Sequence, residues 1–177
     1  MLRSLLGSGI NSKKTTINPN ASSIQLEISK NSRLQDSDMN LFVKPKKYIL
    51  FVCVENSARS QMAEGFFKKY APKNYAPLSA GTMPKDKINP MAIEVMNEIG
   101  IDIQHQNPKE LTEELMRASS KIVNMGCMYD GWCPTQYANV SEDWGLEDPK
   151  GKPVEKFRQI RNQIEDKVIE LCNSLDK

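Results

Sequence analysis

Residues Tyr48 to Phe67, YILFVCVENSARSQMAEGFF, constrain this chain more than any other stretch. Tyr48-Ile49-Leu50-Phe51-Val52 is an apolar run rich in strand-forming residues. It breaks into the small and polar residues Glu55-Asn56-Ser57-Ala58-Arg59-Ser60, then resumes with Met62, Ala63, Phe66, Phe67 and Tyr70 on one helical face. Strand, tight loop and helix aim backbone N–H groups and a helix N-terminus at one point, where an anion belongs. Cys53 stands at the end of the strand, Arg59 follows after five residues, and Ser60 comes next. Thiols ringed by N–H donors, a helix dipole and a guanidinium ionise readily, at pKa values of roughly 3.5–7.5. The donors that hold a thiolate also hold a tetrahedral oxyanion with its central atom in reach of the sulfur.

A length of 177 residues allows one domain and a surplus. Hydrophobic content of 39% and charged content of 26% are globular values. A net charge of +2, with no block of Lys and Arg, argues against nucleic acid as a partner. No apolar run approaches the roughly 18 residues of a membrane span. The four cysteines, Cys53, Cys127, Cys133 and Cys172, lack the density of a secreted disulfide scaffold. Without a signal peptide they read as cytoplasmic thiols. A zinc site fails on supply, since His105 is the one histidine and no Cys-x2-Cys pair occurs; no metal site is expected.

Residues 1–45 are rich in Ser, Asn and Lys and hold no lasting periodicity, which reads as a disordered extension. A short strand near Ser23–Ile28 fits the alternation of Ile24, Leu26 and Ile28. An organellar transit peptide is the rival reading, from Leu2, Arg3, Leu5, Leu6 and the absence of acids in the first 26 residues. The single Arg among the first 32 residues weighs against it.

The compact domain spans 46–177. A second strand is expected over Tyr75–Ala80, ending in Ser79-Ala80-Gly81-Thr82. Asn89-Pro90 reads as an N-cap and first helical residue, with Ala92, Val95, Met96 and Ile99 inward and Gly100 closing the helix. Ile101–Ile103 reads as a short extended piece, and Pro108 as the start of a helix through about Ala118. A third strand is expected over Lys121–Met125, a loop over 126–137, and a fourth strand over 138–143. The last helix starts near Pro153, and its stripe is Val154, Phe157, Ile160, Ile164, Val168, Leu171 and Leu175. Strands alternating with helices imply an α/β fold, a parallel sheet covered on both faces with ligands at the strands' carboxyl ends. Cys172 falls on the last helix's stripe and reads as core; His105, between two glutamines, reads as surface.

Cys53-x5-Arg59-Ser60 between a strand and a helix resembles the signature loop of the low-molecular-weight tyrosine phosphatase and thioredoxin-coupled arsenate reductase superfamily. The longer string NSARSQMAEGFF is closer to the reductase branch. The resemblance implies a three-layer fold around a four-stranded sheet of flavodoxin-like order. It makes Cys53 the nucleophile and Cys53, Val54, Glu55, Asn56, Ser57, Ala58, Arg59 and Ser60 the oxyanion loop. It also makes Asp148, in WGLEDPKGKP, the general acid; expelling hydroxide or an alkoxide unassisted is slow.

Cys127 and Cys133, in NMGCMYDGWCP, separate the branches. A phosphatase needs no further thiol, whereas reducing arsenic from five- to three-valent takes two electrons. The implied relay runs from Cys53 to Cys127 to Cys133, with a thioredoxin-like protein as final reductant and no bound cofactor. Tyrosine phosphatases of this family usually follow Asp-Pro with an aromatic residue that stacks on the substrate ring; here Lys150 stands there. The chain departs from familiar bacterial reductases in having five residues, not six, between Cys127 and Cys133, and in Glu55, whose charge weakens anion binding unless its side chain turns outward. Some relatives bind a potassium ion behind the loop, and Asn56, Glu64 and Ser79 match part of that pattern. Trp132, beside Cys133, reads as a contact for the reductant or as cover for the loop. The alternatives are a phosphomonoesterase using Cys53, Arg59 and Asp148 alone, and a non-catalytic redox sensor.

Overall fold

In β1 (Lys47–Cys53), Ile49, Phe51 and Cys53 join one buried cluster while Leu50 and Val52 join another. A strand sends alternate side chains to opposite faces. With both sets apolar, β1 must lie at the centre of a sheet covered on both sides. The computed structural model describes residues 46–126 and 141–175. It contains α1 (Arg59–Tyr70), β2 (Tyr75–Gly81), α2 (Pro90–Asn97), α3 (Glu113–Ala118), β3 (Ser119–Asn124), β4 (Ser141–Asp143) and α4 (Val154–Leu175).

The four strands are parallel and ordered β2-β1-β3-β4. The chain therefore steps from β1 to one neighbour, β2, and then crosses to the other, β3. Open α/β sheets bind ligands outside the strand ends at such a reversal. Cys53 ends β1 at this place, paired in register with Gly81 of β2. The expected fold class is the one observed.

The two faces are unequal. Helices α1, α2 and α4 pack over Ile49 and Phe51 through Met62, Phe66, Phe67, Val95, Met96, Phe157, Ile160, Ile164 and Val168. The other face carries α3, through Leu115 and Met116, with Leu111 beside them. Phe51, Phe66, Phe67 and Phe157 are among the largest fully buried side chains. Each contributes about 1.5–3 kcal/mol by burial. The α4 stripe is buried from Phe157 to Leu171, with Val154 and Leu175 half-buried at its ends. Cys172 is buried and His105 is exposed, as expected.

Asn89 caps α2, its side chain accepting from Met91 N at 2.9 Å. Gly100 follows α2 with φ at 74°. The helix expected from Pro108 begins only at Glu113, where Thr112 Oγ1 accepts from Leu115 N at 3.3 Å. The reason is tertiary: Gly81 N donates to Lys109 O at 2.8 Å, and Leu111 N donates to Gly81 O at 2.8 Å. Residues before Thr112 thus extend the edge of β2 instead of coiling. Ile101 and Ile103, expected in a short extended piece, lie outside the helices and strands and are held by core packing. The third strand starts two residues early, at Ser119, and of the expected fourth strand Ser141–Asp143 is described. The extension over 1–45, the strand near Ser23–Ile28, Cys127, Trp132 and Cys133 lie outside the described residues.

Candidate active site

The loop from Cys53 to Ala58 is shaped by its carbonyls. Those of Cys53, Val54, Glu55 and Ser57 accept from the N–H groups of Thr82, Met83, Lys85 and Asn89 at 2.8–3.3 Å. Asn56 O accepts from Gln61 Nε2 at 3.0 Å. A trans peptide points its N–H opposite its C=O. The N–H groups of Val54, Glu55, Asn56, Ser57 and Ala58 are thereby aimed away from these partners and stay available to an anion. Ala58, at the N-cap of α1, offers no side-chain cap, which leaves the helix's first turn open to the same ligand.

Cys53 is buried, with Sγ 3.0 Å from Ser60 Oγ. Ser60 Oγ accepts from Asn56 Nδ2 at 2.7 Å, so the hydroxyl's own proton is free to point at the sulfur. Asn56 is the one non-glycine among the described residues with positive φ, at 46°. Its side chain compensates for that conformation: Oδ1 accepts from Lys109 N at 2.7 Å and Gln61 Nε2 at 3.1 Å. The chain from Asn56 through Ser60 to Cys53 aims a hydroxyl donor at the sulfur and fixes its position.

Arg59 opens α1 and is buried. Nη1 donates to Met125 O at 2.6 Å and Leu146 O at 3.0 Å; Nη2 donates to Asp148 Oδ2 at 2.7 Å. Asp148 is half-exposed, and its Oδ1 accepts from Lys150 N at 3.0 Å. Cys53, Arg59 and Asp148, separated by up to 95 positions in sequence, line one cleft. The chemistry available is attack by sulfur on a bound tetrahedral oxyanion, with a carboxyl opposite it to protonate the departing oxygen.

Glu55 also lines the cleft, but its charge is matched. Lys150 Nζ pairs with Glu55 Oε1, Lys85 Nζ lies at 3.8 Å, and Ser57 Oγ donates to Glu55 Oε2 at 3.4 Å. Burial opposes ionisation of this carboxyl, yet Lys150, Lys85 and Ser57 outweigh burial and hold it below the usual glutamate range. The half-matched potassium pattern does not fit a cation. Glu64 accepts from Ser79 Oγ at 2.5 Å and Lys68 Nζ at 2.7 Å, and Lys109 Nζ stands 3.6 Å away. Two ammonium groups already balance that carboxylate.

Sequence reasoning missed several participants. Gln61 is fully buried and ties the loop to Asn107 O at 3.2 Å. Asn89, read only as a helix cap, also lines the cleft. Gly126 has φ at 94°, and a Cβ there would lie 2.6 Å from Arg59 Nη1; glycine is what lets the guanidinium in. Gly81 plays the same part behind the loop, where a Cβ would meet Val54 O at 2.5 Å. The signal for both was a glycine at or just after the end of a strand, on the sheet edge that carries Cys53.

Residues 48–177 match the family profile described as low molecular weight phosphotyrosine protein phosphatase. An arsenate reductase of Staphylococcus aureus (strain bovine RF122 / ET3-1) is 39% identical over 120 residues, covering 67% of this chain and 91% of the relative. A solved structure described as an arsenate reductase in the phosphate binding state superposes with a TM-score of 0.66. It is 34% identical and covers 72% of this chain and 98% of its own. A thioredoxin-dependent arsenate reductase of Corynebacterium glutamicum has a TM-score of 0.61 at 32% identity, over 76% of this chain and 64% of its own.

Proposed function

The chain belongs to the low molecular weight phosphotyrosine protein phosphatase family, and within it we propose that this member reduces arsenate to arsenite through cysteine thiols. The observation that carries the oxyanion chemistry is the cleft that joins Cys53, its Ser60 hydrogen bond, and the Arg59–Asp148 pair. Arsenate seats on the loop N–H groups and Arg59. The Cys53 thiolate attacks arsenic, an S–As bond forms, and an As–O bond breaks as Asp148 passes a proton to the leaving oxygen, which departs as water.

Two thiols supply the electrons. The Cys127 thiolate attacks the Cys53 sulfur; an S–S bond forms and the S–As bond breaks with its electron pair on arsenic, releasing three-valent arsenite. Cys133 then attacks Cys127, the Cys127–Cys133 disulfide forms, and Cys53 leaves as thiolate. A thioredoxin-like dithiol reduces that disulfide and is oxidised in turn. The presence of Cys127 and Cys133, which ester hydrolysis does not need, favours reduction. Gly126, immediately before Cys127, abuts Arg59, so the described chain enters that segment at the cleft. Such thiols work in a reducing compartment, which supports a cytoplasmic setting. Among the described residues no helix is long and apolar enough to cross a membrane.

Phosphomonoester hydrolysis is the second reading, because Cys53, Arg59 and Asp148 suffice for it and the family profile bears that name. The test is incubation with arsenate, thioredoxin, thioredoxin reductase and NADPH, and separately with p-nitrophenyl phosphate. Arsenate-dependent NADPH loss that vanishes in Cys127→Ser is the result expected. Ester hydrolysis that survives Cys127→Ser, without arsenate turnover, overturns the reductase reading in favour of the phosphatase. Neither activity leaves a redox sensor.

A further inference from the structure

Glu55 belongs to the loop that carries the nucleophile, and Lys150 to the loop that carries the acid. Their ion pair joins the two loops, and each partner is positioned by its backbone. Lys85 N donates to Glu55 O at 3.0 Å, and Lys150 N donates to Asp148 Oδ1 at 3.0 Å. Both side chains line the cleft that holds Cys53 and Asp148. In-line displacement puts the leaving group opposite the sulfur, on the side of the acid. That is the side from which Lys150 reaches across to Glu55.

We propose that the Glu55–Lys150 pair is a specificity determinant, a clasp that suits the cleft to free inorganic oxyanions and disfavours phosphomonoesters with bulky leaving groups. The leaving group of arsenate is a single oxygen and fits beneath the clasp. An aryl group must part it, and among the described residues none that lines the cleft is aromatic. The proposal deepens the arsenate reading and rests on it for the natural substrate. The clasp itself is tested on esters and inorganic phosphate alone.

The experiment compares wild type, Lys150→Ala, Glu55→Gln and the charge-swapped Glu55→Lys/Lys150→Glu. It reads kcat/KM for p-nitrophenyl phosphate multiplied by the inhibition constant for inorganic phosphate, which cancels any general change in anion attraction. The pair no longer has to be parted in either single variant, so each is expected to raise this product about fivefold. The swapped pair is expected to return it toward wild type. Lys150 is exposed, so Lys150→Ala keeps the fold, checked by thermal melting. An unchanged product in both single variants overturns the clasp. A rise that the swap does not reverse also overturns it, assigning the effect to single charges. If the product behaves as expected but wild type oxidises no NADPH with arsenate, the clasp stands and the reductase reading falls.

Discussion

Arg59 Nη2 lies 2.7 Å from Asp148 Oδ2, so the guanidinium that an oxyanion needs is held by the carboxylate of the proton donor. Anion and acid therefore compete for one cation. Asp148→Asn removes the competitor's charge together with the group that passes the proton. Turnover is expected to fall by about 10²–10⁴. Inorganic phosphate is expected to bind several-fold more tightly, measured as a lower inhibition constant. Weaker phosphate binding in this variant would refute the competition.

Arg59 also holds Met125 O and Leu146 O, which pins the ends of β3 and of the loop after β4 to the nucleophile loop. Lysine is a point charge and cannot reproduce this fork. Arg59→Lys is expected to lower kcat/KM at least about 100-fold. It is also expected to cost about 1–3 kcal/mol in urea unfolding, because buried carbonyls lose their donor. Retained stability would place the carbonyl contacts outside the energetics of the fold.

Ser60→Ala removes the hydrogen bond to Cys53 Sγ while leaving the loop's backbone contacts intact. Alkylation of Cys53 by iodoacetamide is expected to slow by about tenfold, the factor for about 1.4 kcal/mol of a hydrogen bond that orients the sulfur. Mass spectrometry of the Cys53 peptide follows the rate. An unaltered rate would show that the Ser60 hydroxyl does not govern the reactivity of Cys53.

Gly126→Ala places a methyl where Arg59 Nη1 now lies. The expected outcome is loss of at least about 90% of phosphate binding together with a lowered melting temperature, since the guanidinium that holds Met125 O and Leu146 O must move. Calorimetric titration with phosphate reads the first quantity.

Glu98 joins α2 to α4. Arg158 donates to it through Nε at 3.0 Å and Nη2 at 2.6 Å, and Arg161 Nη1 through 3.0 Å. The hydrogen bond from Arg158, with Arg161 adding and partial burial opposing, holds its carboxyl below the ordinary value of 4.5. A carboxyl depressed on folding adds stability above its unfolded pKa and loses it as pH falls through the folded one. Glu98→Gln is therefore expected to destabilise at pH 6–7, with the gap to wild type closing below about pH 4. Urea unfolding at several pH values measures it; a gap independent of pH would assign the loss to packing.

Much of the site was legible from residues 48–67 alone. The run Ile49–Val52 demanded a buried strand, Met62 to Phe67 a helix against it, and the polar residues between them a loop facing an anion. The helix expected from Pro108 shows where such reading stops. Residues 108–112 have helical credentials, yet Gly81 takes their hydrogen bonds, and no local pattern announces a partner almost thirty positions away. The cysteines at 127 and 133 were legible only as chemistry, from residue type and count.

The amino-acid order by itself determined most of the elements and which groups can react, because periodicity, turn residues and side-chain chemistry are local properties of the chain. It determined that a thiol, a guanidinium and a carboxyl were available. Only the tertiary structure decided what each is bound to: Arg59 to Asp148, Glu55 to Lys150, and Asn56 to the amide of Lys109. These partners lie 89, 95 and 53 positions apart. Such pairings depend on the crossing from β2 to β3 and on which loops meet at the strand ends. A charge that looked adverse in the sequence at Glu55 is neutralised there, because folding brings a lysine from the acid's loop to meet it.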